Sequence, residues 1–119
     1  GTEPAHRRKA VSHQMAEGSL DRWVAFLATA ARTGGQLTLI HRADALGQIL
    51  AALDGRFGAI AVLPVYPRAG APAVRIVVRA VKGSKAPLEI RAGLVLHESD
   101  GRYRPEVEAV LRHGAALRV

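Results

Sequence analysis

The chain has 119 residues, 49% hydrophobic and 23% charged, with no cysteine. That suits one domain with a real core, and it excludes a disulfide framework, a thiolate metal site and a cysteine nucleophile. A net charge of +7 and a pI of about 11.0 favour a polyanionic partner such as RNA or DNA, although arginine spread over every element beside so much alanine also fits plain genomic composition.

No apolar run reaches the roughly 18 residues of a membrane-spanning helix, and the basic start, Gly1 to Lys9, precedes no signal-type apolar stretch. A cytoplasmic protein without a membrane partner is the expectation. Ala5 to Met15 then reads as a solvated helix or an arm, broken at Glu17-Gly18. Ser19 is a plausible N-cap for a helix whose apolar set is Leu20, Trp23, Val24, Leu27, Ala28 and Ala31. This spacing makes one apolar face, and Gly34-Gly35 ends the helix.

Leu37, Leu39 and Ile40 read as a strand covered on both faces. The next helix carries Leu46, Ile49, Leu50 and Leu53 on one stripe, with Asp44 as its candidate cap and Gly55 as its stop. Phe57 to Tyr66 makes a second strand, parallel to the first. The prolines of Pro67-Arg68-Ala69-Gly70-Ala71-Pro72 predict a long turn, and Val74 to Val81 an antiparallel return strand. Leu88–Arg91 and Leu94–His97 read as short edge strands, and Asp100-Gly101 is turn chemistry. Pro105-Glu106 opens a last helix with Val107, Val110 and Leu111 as its apolar side and Gly114 as its end. Strand–helix–strand–strand leaves one sheet edge unpaired and apolar, which whole proteins usually avoid.

Several segments together resemble a known family. They are Leu37-Thr38-Leu39-Ile40-His41-Arg42-Ala43-Asp44, Leu63-Pro64-Val65-Tyr66-Pro67-Arg68 with Arg75, and Lys82-Gly83-Ser84-Lys85-Ala86-Pro87-Leu88. Gly93-Leu94-Val95-Leu96-His97-Glu98 leading to Gly101-Arg102-Tyr103-Arg104-Pro105-Glu106 completes the set. In order and spacing they resemble the C-terminal half of small class I S-adenosylmethionine-dependent methyltransferases of the tRNA (adenine-N6) type, relatives of the release-factor glutamine methyltransferases. The resemblance implies an α/β, Rossmann-like sheet whose last three strands run five–seven–six with the last antiparallel, and flanking helices. Gln36–His41, Phe57–Tyr66 and Val74–Val81 would be strands five, six and seven.

The family's glycine-rich cofactor loop, its acidic residue after strand two and its Asn-Pro-Pro-aromatic motif are absent. Residues 1–119 are therefore expected to form a single partial domain, the back portion of a methyltransferase. No catalytic or cofactor-binding residue carries over by motif. S-adenosylmethionine is expected in the intact enzyme and not on this portion alone, which should be inactive and should self-associate through its free sheet edge. RNA, specifically tRNA, is the implied substrate. Protein glutamine and small-molecule amines stay open, as does a stand-alone basic nucleic-acid-binding or assembly module.

On this reading Arg7, Arg8, Lys9 and His13 lie just after the missing motif and would contact phosphates, against the alternative of a solvated terminus. His41 and Arg42 end a strand on the edge where open parallel sheets bind ligands. Tyr66, Arg68 and Arg75 flank the turn at the same edge; the tyrosine could stack on a base or simply pack on the turn prolines. Lys82 and Lys85 lie at the other end and read as solubilising. No His-x-x-x-His or His-Glu-x-x-His spacing occurs among His6, His13, His41, His97 and His113, so no metal site is expected.

Overall fold

In a computed structural model, residues 19–113 can be described. Helix α1 (Ser19–Ala30) leads into strand β1 (Gln36–Arg42), followed by a 3-10 turn (Ala43–Ala45) and helix α2 (Leu46–Leu53). Strands β2 (Phe57–Arg68) and β3 (Arg75–Lys82) come next, then the short strands β4 (Glu89–Ile90) and β5 (Leu94–His97), and helix α3 (Pro105–His113). The first segment, through Met15, lies outside the described residues, as does Gly114. Ser19 is the first helical residue described.

The sheet has five strands in the order β1-β3-β2-β4, with β5 also paired to β2. Strand β3 runs antiparallel to both β1 and β2, so these two point the same way. The reversed strand is thus inserted between two parallel ones, as the five–seven–six order requires. Both short strands pair parallel with β2, at Ala61–Val62 and then from Val65 to Arg68. They form one interrupted edge.

Helices α1 and α2 gather on one face. Ile49 and Leu53 of α2 and Val24 of α1 are fully buried against Leu37, Leu39, Val62, Ile76, Val78 and Ala80. Burial of each such side chain is worth about 1.5–3 kcal/mol. Leu63, Val65 and Val77, with Leu94 and Leu96, cluster separately, and their alternation with the first set places them on the opposite face. After α2, Gly55 takes φ +76°, a left-handed turn that suits glycine.

Three expectations need correction. Strand β1 is not covered on both faces: Leu37 and Leu39 are buried, but the alternate residues Thr38 and Ile40 are exposed, Ile40 by 41%. Both helices sit on the side to which Leu37 and Leu39 point, so a strand's two-residue period leaves its neighbours in solvent. Asp44 does not cap α2. It lies inside the 3-10 turn, Ala45 holds the N-cap position without a side-chain hydrogen bond, and the Asp44 carboxylate instead faces Arg42 Nε at 3.3 Å.

Pro67-Arg68 belongs to β2 and not to the turn. The β3 register ends at Val65, and Pro67 is skipped in the β5 register between Tyr66 and Arg68, so its missing N–H removes no paired ladder position. Pro64 falls between the β4 and β5 segments. The turn is correspondingly shorter, closed by Ala71 N–H donating to the Arg68 carbonyl (3.2 Å) and Val74 N–H to the Val65 carbonyl (2.9 Å). In α3, Val107 is buried as expected. The side chains of Val110 and Leu111 lie outside the described part.

Candidate functional site

One end of the sheet collects most of the expected residues. There β1 ends at Arg42, β2 ends at Arg68, β5 ends at His97 and β3 begins at Arg75. Arg42 and Arg75 are register partners, as are His41 and Ile76, and Arg68 and His97. Arg7, Arg8, Lys9 and His13 fall outside the described residues.

Strand alternation divides this set between the two faces. His41 shares the helix-covered face with Ile76, whereas Arg42 and Arg75 lie on the other face, in line with Val77. The backbone N–H of Arg42 donates to His41 Nδ1 at 2.8 Å. Arg42 is paired with Asp44, and Arg75 Nη1 donates to the Val74 carbonyl at 3.1 Å. The Arg42 and Asp44 side chains are 65% and 74% exposed, so their pairing in high dielectric is worth well under about 1 kcal/mol. It leaves the arginine charge accessible.

Tyr66 and Arg68 alternate onto the helix side, beside Gly93 and His97 of the β5 edge. The Tyr66 ring is half-buried and lies over Gly93, where a Cβ would fall 2.0 Å from its Cε2 atom. Arg68 is exposed, and its guanidinium makes no hydrogen bond or ion pair with the described residues.

The same end carries a feature that reading the sequence did not single out. After β5 the chain folds back, Tyr103 bridges antiparallel to His97, and the two rings stack with centroids 4.6 Å apart at 29°. His97 Nδ1 is buried without a hydrogen-bond partner, so the ring is held by stacking and backbone pairing. The signal was present: Asp100-Gly101 between Leu96-His97 and Arg102-Tyr103 is a tight-turn sequence, and such a turn sets residues 97 and 103 opposite each other.

At the far end of the sheet the basic residues do structural work. Lys82 Nζ donates to the Ala31 carbonyl just past α1, and Arg56 Nη1 donates to the Ala52 carbonyl (2.9 Å) and to Asp21 (3.0 Å). Cations there satisfy carbonyls at helix ends, so Lys82 is a cap and not merely a solubilising charge. Lys85 remains exposed beside an open groove of about 380 Å³ that Asp54, Arg56, Phe57 and Leu88 also line. Among the described residues, no three His, Asp or Glu side chains come together as a metal site would need.

No family model matches the chain, and no curated protein does. Among solved structures it is similar to one described as a predicted O-methyltransferase from Agrobacterium tumefaciens, at 36% identity and a TM-score of 0.80. The match covers 86% of this chain and 50% of that one, so the chain spans about half the length of that structural neighbour. The order β1-β3-β2, the reversed β3 and the helices on the sheet give this chain an α/β fold that matches a methyltransferase neighbour.

Proposed function

We propose that this chain is the back portion of an S-adenosylmethionine-dependent methyltransferase that acts on an adenine amine in RNA, most specifically in tRNA. The observation that carries the reading is the antiparallel β3 held between the parallel β1 and β2. The 36% identity to a predicted O-methyltransferase over 86% of the chain supports methyl transfer as the chemistry. The RNA acceptor is supported by the net charge of +7 and by Arg42, Arg68 and Arg75 at one end of the sheet.

The described residues do not by themselves suit the cofactor. Where β1 passes into α2 the turn reads Arg42-Ala43-Asp44-Ala45, without a glycine for close backbone approach, and its acid faces Arg42. No step through the cofactor is therefore assigned to this chain. Its own residues complete the sheet, form one wall of the substrate cleft and hold phosphates, which positions an acceptor without reading sequence. On this reading the outer edge of β1 pairs with a strand contributed by more of the same polypeptide, or by a second copy when residues 1–119 stand alone.

The test uses the polypeptide encoded by the complete reading frame, incubated with tritiated S-adenosylmethionine and bulk tRNA, then digested to nucleosides. Label in N6-methyladenosine is the expected result. Label that enters only protein, or only a hydroxyl of a small molecule, would overturn the RNA assignment and leave methyl transfer standing. The upstream frame should encode a glycine-rich turn and an Asn-Pro-Pro-aromatic motif, and their absence would favour a binding module instead.

A further inference from the structure

The His97–Tyr103 stack points to a more specific contact, one that rests on the RNA reading above. We propose that this ring pair, with Arg68 beside it, is a docking platform for one unpaired base of single-stranded RNA. The platform is built in advance. Glu98 N–H donates to the Arg102 carbonyl (2.6 Å), Gly101 N–H to the Glu98 carbonyl (3.0 Å) and Arg104 N–H to the Leu96 carbonyl (2.8 Å). Asp100 accepts from both the backbone N–H (3.0 Å) and the Nε (2.9 Å) of Arg102. A turn fixed at this many points loses little freedom when a ligand arrives.

Its outer surface is open. Tyr103 is 46% exposed and belongs to neither apolar cluster, so packing in the core does not account for its position. One ring face stacks on His97, and the opposite face is the one the platform offers to a base. Every base has a π-face, so such a surface accepts any base that is free of a duplex.

The charge is placed to match. Arg68 is the register partner of His97 and lies on the same side of the strand pair. Arg102 is held by Asp100 and Arg104 by Glu106, whereas the Arg68 guanidinium is uncommitted among the described residues. A free guanidinium one strand away from a stacking ring can take the phosphate of the nucleotide whose base stacks.

The probe is a short single-stranded oligoadenylate carrying 2-aminopurine, titrated with the polypeptide of the complete reading frame. Binding should quench the 2-aminopurine. Tyr103→Phe should keep affinity and quench, while Tyr103→Ala should weaken binding about tenfold and abolish the quench. Tyr103→Leu, which retains apolar volume, should behave like Tyr103→Ala and covers the case in which the alanine variant fails to fold. Arg68→Ala should weaken binding and flatten the log–log salt dependence by about 0.7. Unchanged affinity and quench in Tyr103→Leu would overturn the platform while leaving the RNA reading intact. Absence of any RNA binding by the wild type would overturn both.

Discussion

Gly93 is where the β5 edge has least room. A Cβ there would lie 2.0 Å from Tyr66 Cε2 and 2.8 Å from Cδ2, with the Pro64 carbonyl oxygen 3.2 Å away, so neither the ring nor the backbone offers an easy retreat. Gly93→Ala should cost about 1–3 kcal/mol in urea unfolding, and pairing it with Tyr66→Ala should recover part of that loss in a double-mutant cycle. Asp44 makes the opposite case. A true N-cap replaced by alanine loses about 1 kcal/mol. Asp44 holds only an exposed pairing with Arg42, so Asp44→Ala should move stability by less than about 0.5 kcal/mol in the same measurement.

At the level of elements, α1 and α2 are attached by their apolar stripes and by cations at their ends. Ile49 is fully buried under α2, so Ile49→Ala should destabilise by about 2–5 kcal/mol in denaturant unfolding. Phe26 stacks on Trp23 but is 59% exposed on the outer side of α1, and its loss should cost far less. Lys82→Met keeps the aliphatic stem but strips the donor from the Ala31 carbonyl. Stability should fall by about 1 kcal/mol, read as a lower urea midpoint at unchanged slope. The stripes were legible as periodicity; the cap was not, because Lys82 and Ala31 stand 51 residues apart and meet only through the sheet.

For the whole molecule, the outer edge of β1 is the consequential surface. Among the described residues β1 pairs only with β3, and Thr38 and Ile40 stand exposed on one face. Residues 1–119 expressed alone should sediment as a dimer or larger species, and Ile40→Lys should return them to monomer with little change in thermal melting. Lysine on an edge strand opposes further pairing. A monomer at high concentration without that change would count against pairing through this edge.

Hydrophobic period and glycine stops, with Pro105-Glu106 opening the last helix, were enough to specify three helices, three long strands and their directions. The reason is that local spacing already commits each segment to one buried face. Pro67 and Pro72, in contrast, placed the end of β2 too early. Resemblance added the strand order. Which face the helices would cover, and hence that Ile40 would be exposed, had to await the packing, because alternation alone does not say how many layers lie over a strand. The candidate site divides in the same way: the residues at the sheet end could be named from the sequence, but their sorting into His41, Tyr66 and Arg68 on one face and Arg42 and Arg75 on the other follows from register. The His97–Tyr103 stack exists only because a backbone turn brings two rings together across six residues, a contact made by the fold and not by either residue type.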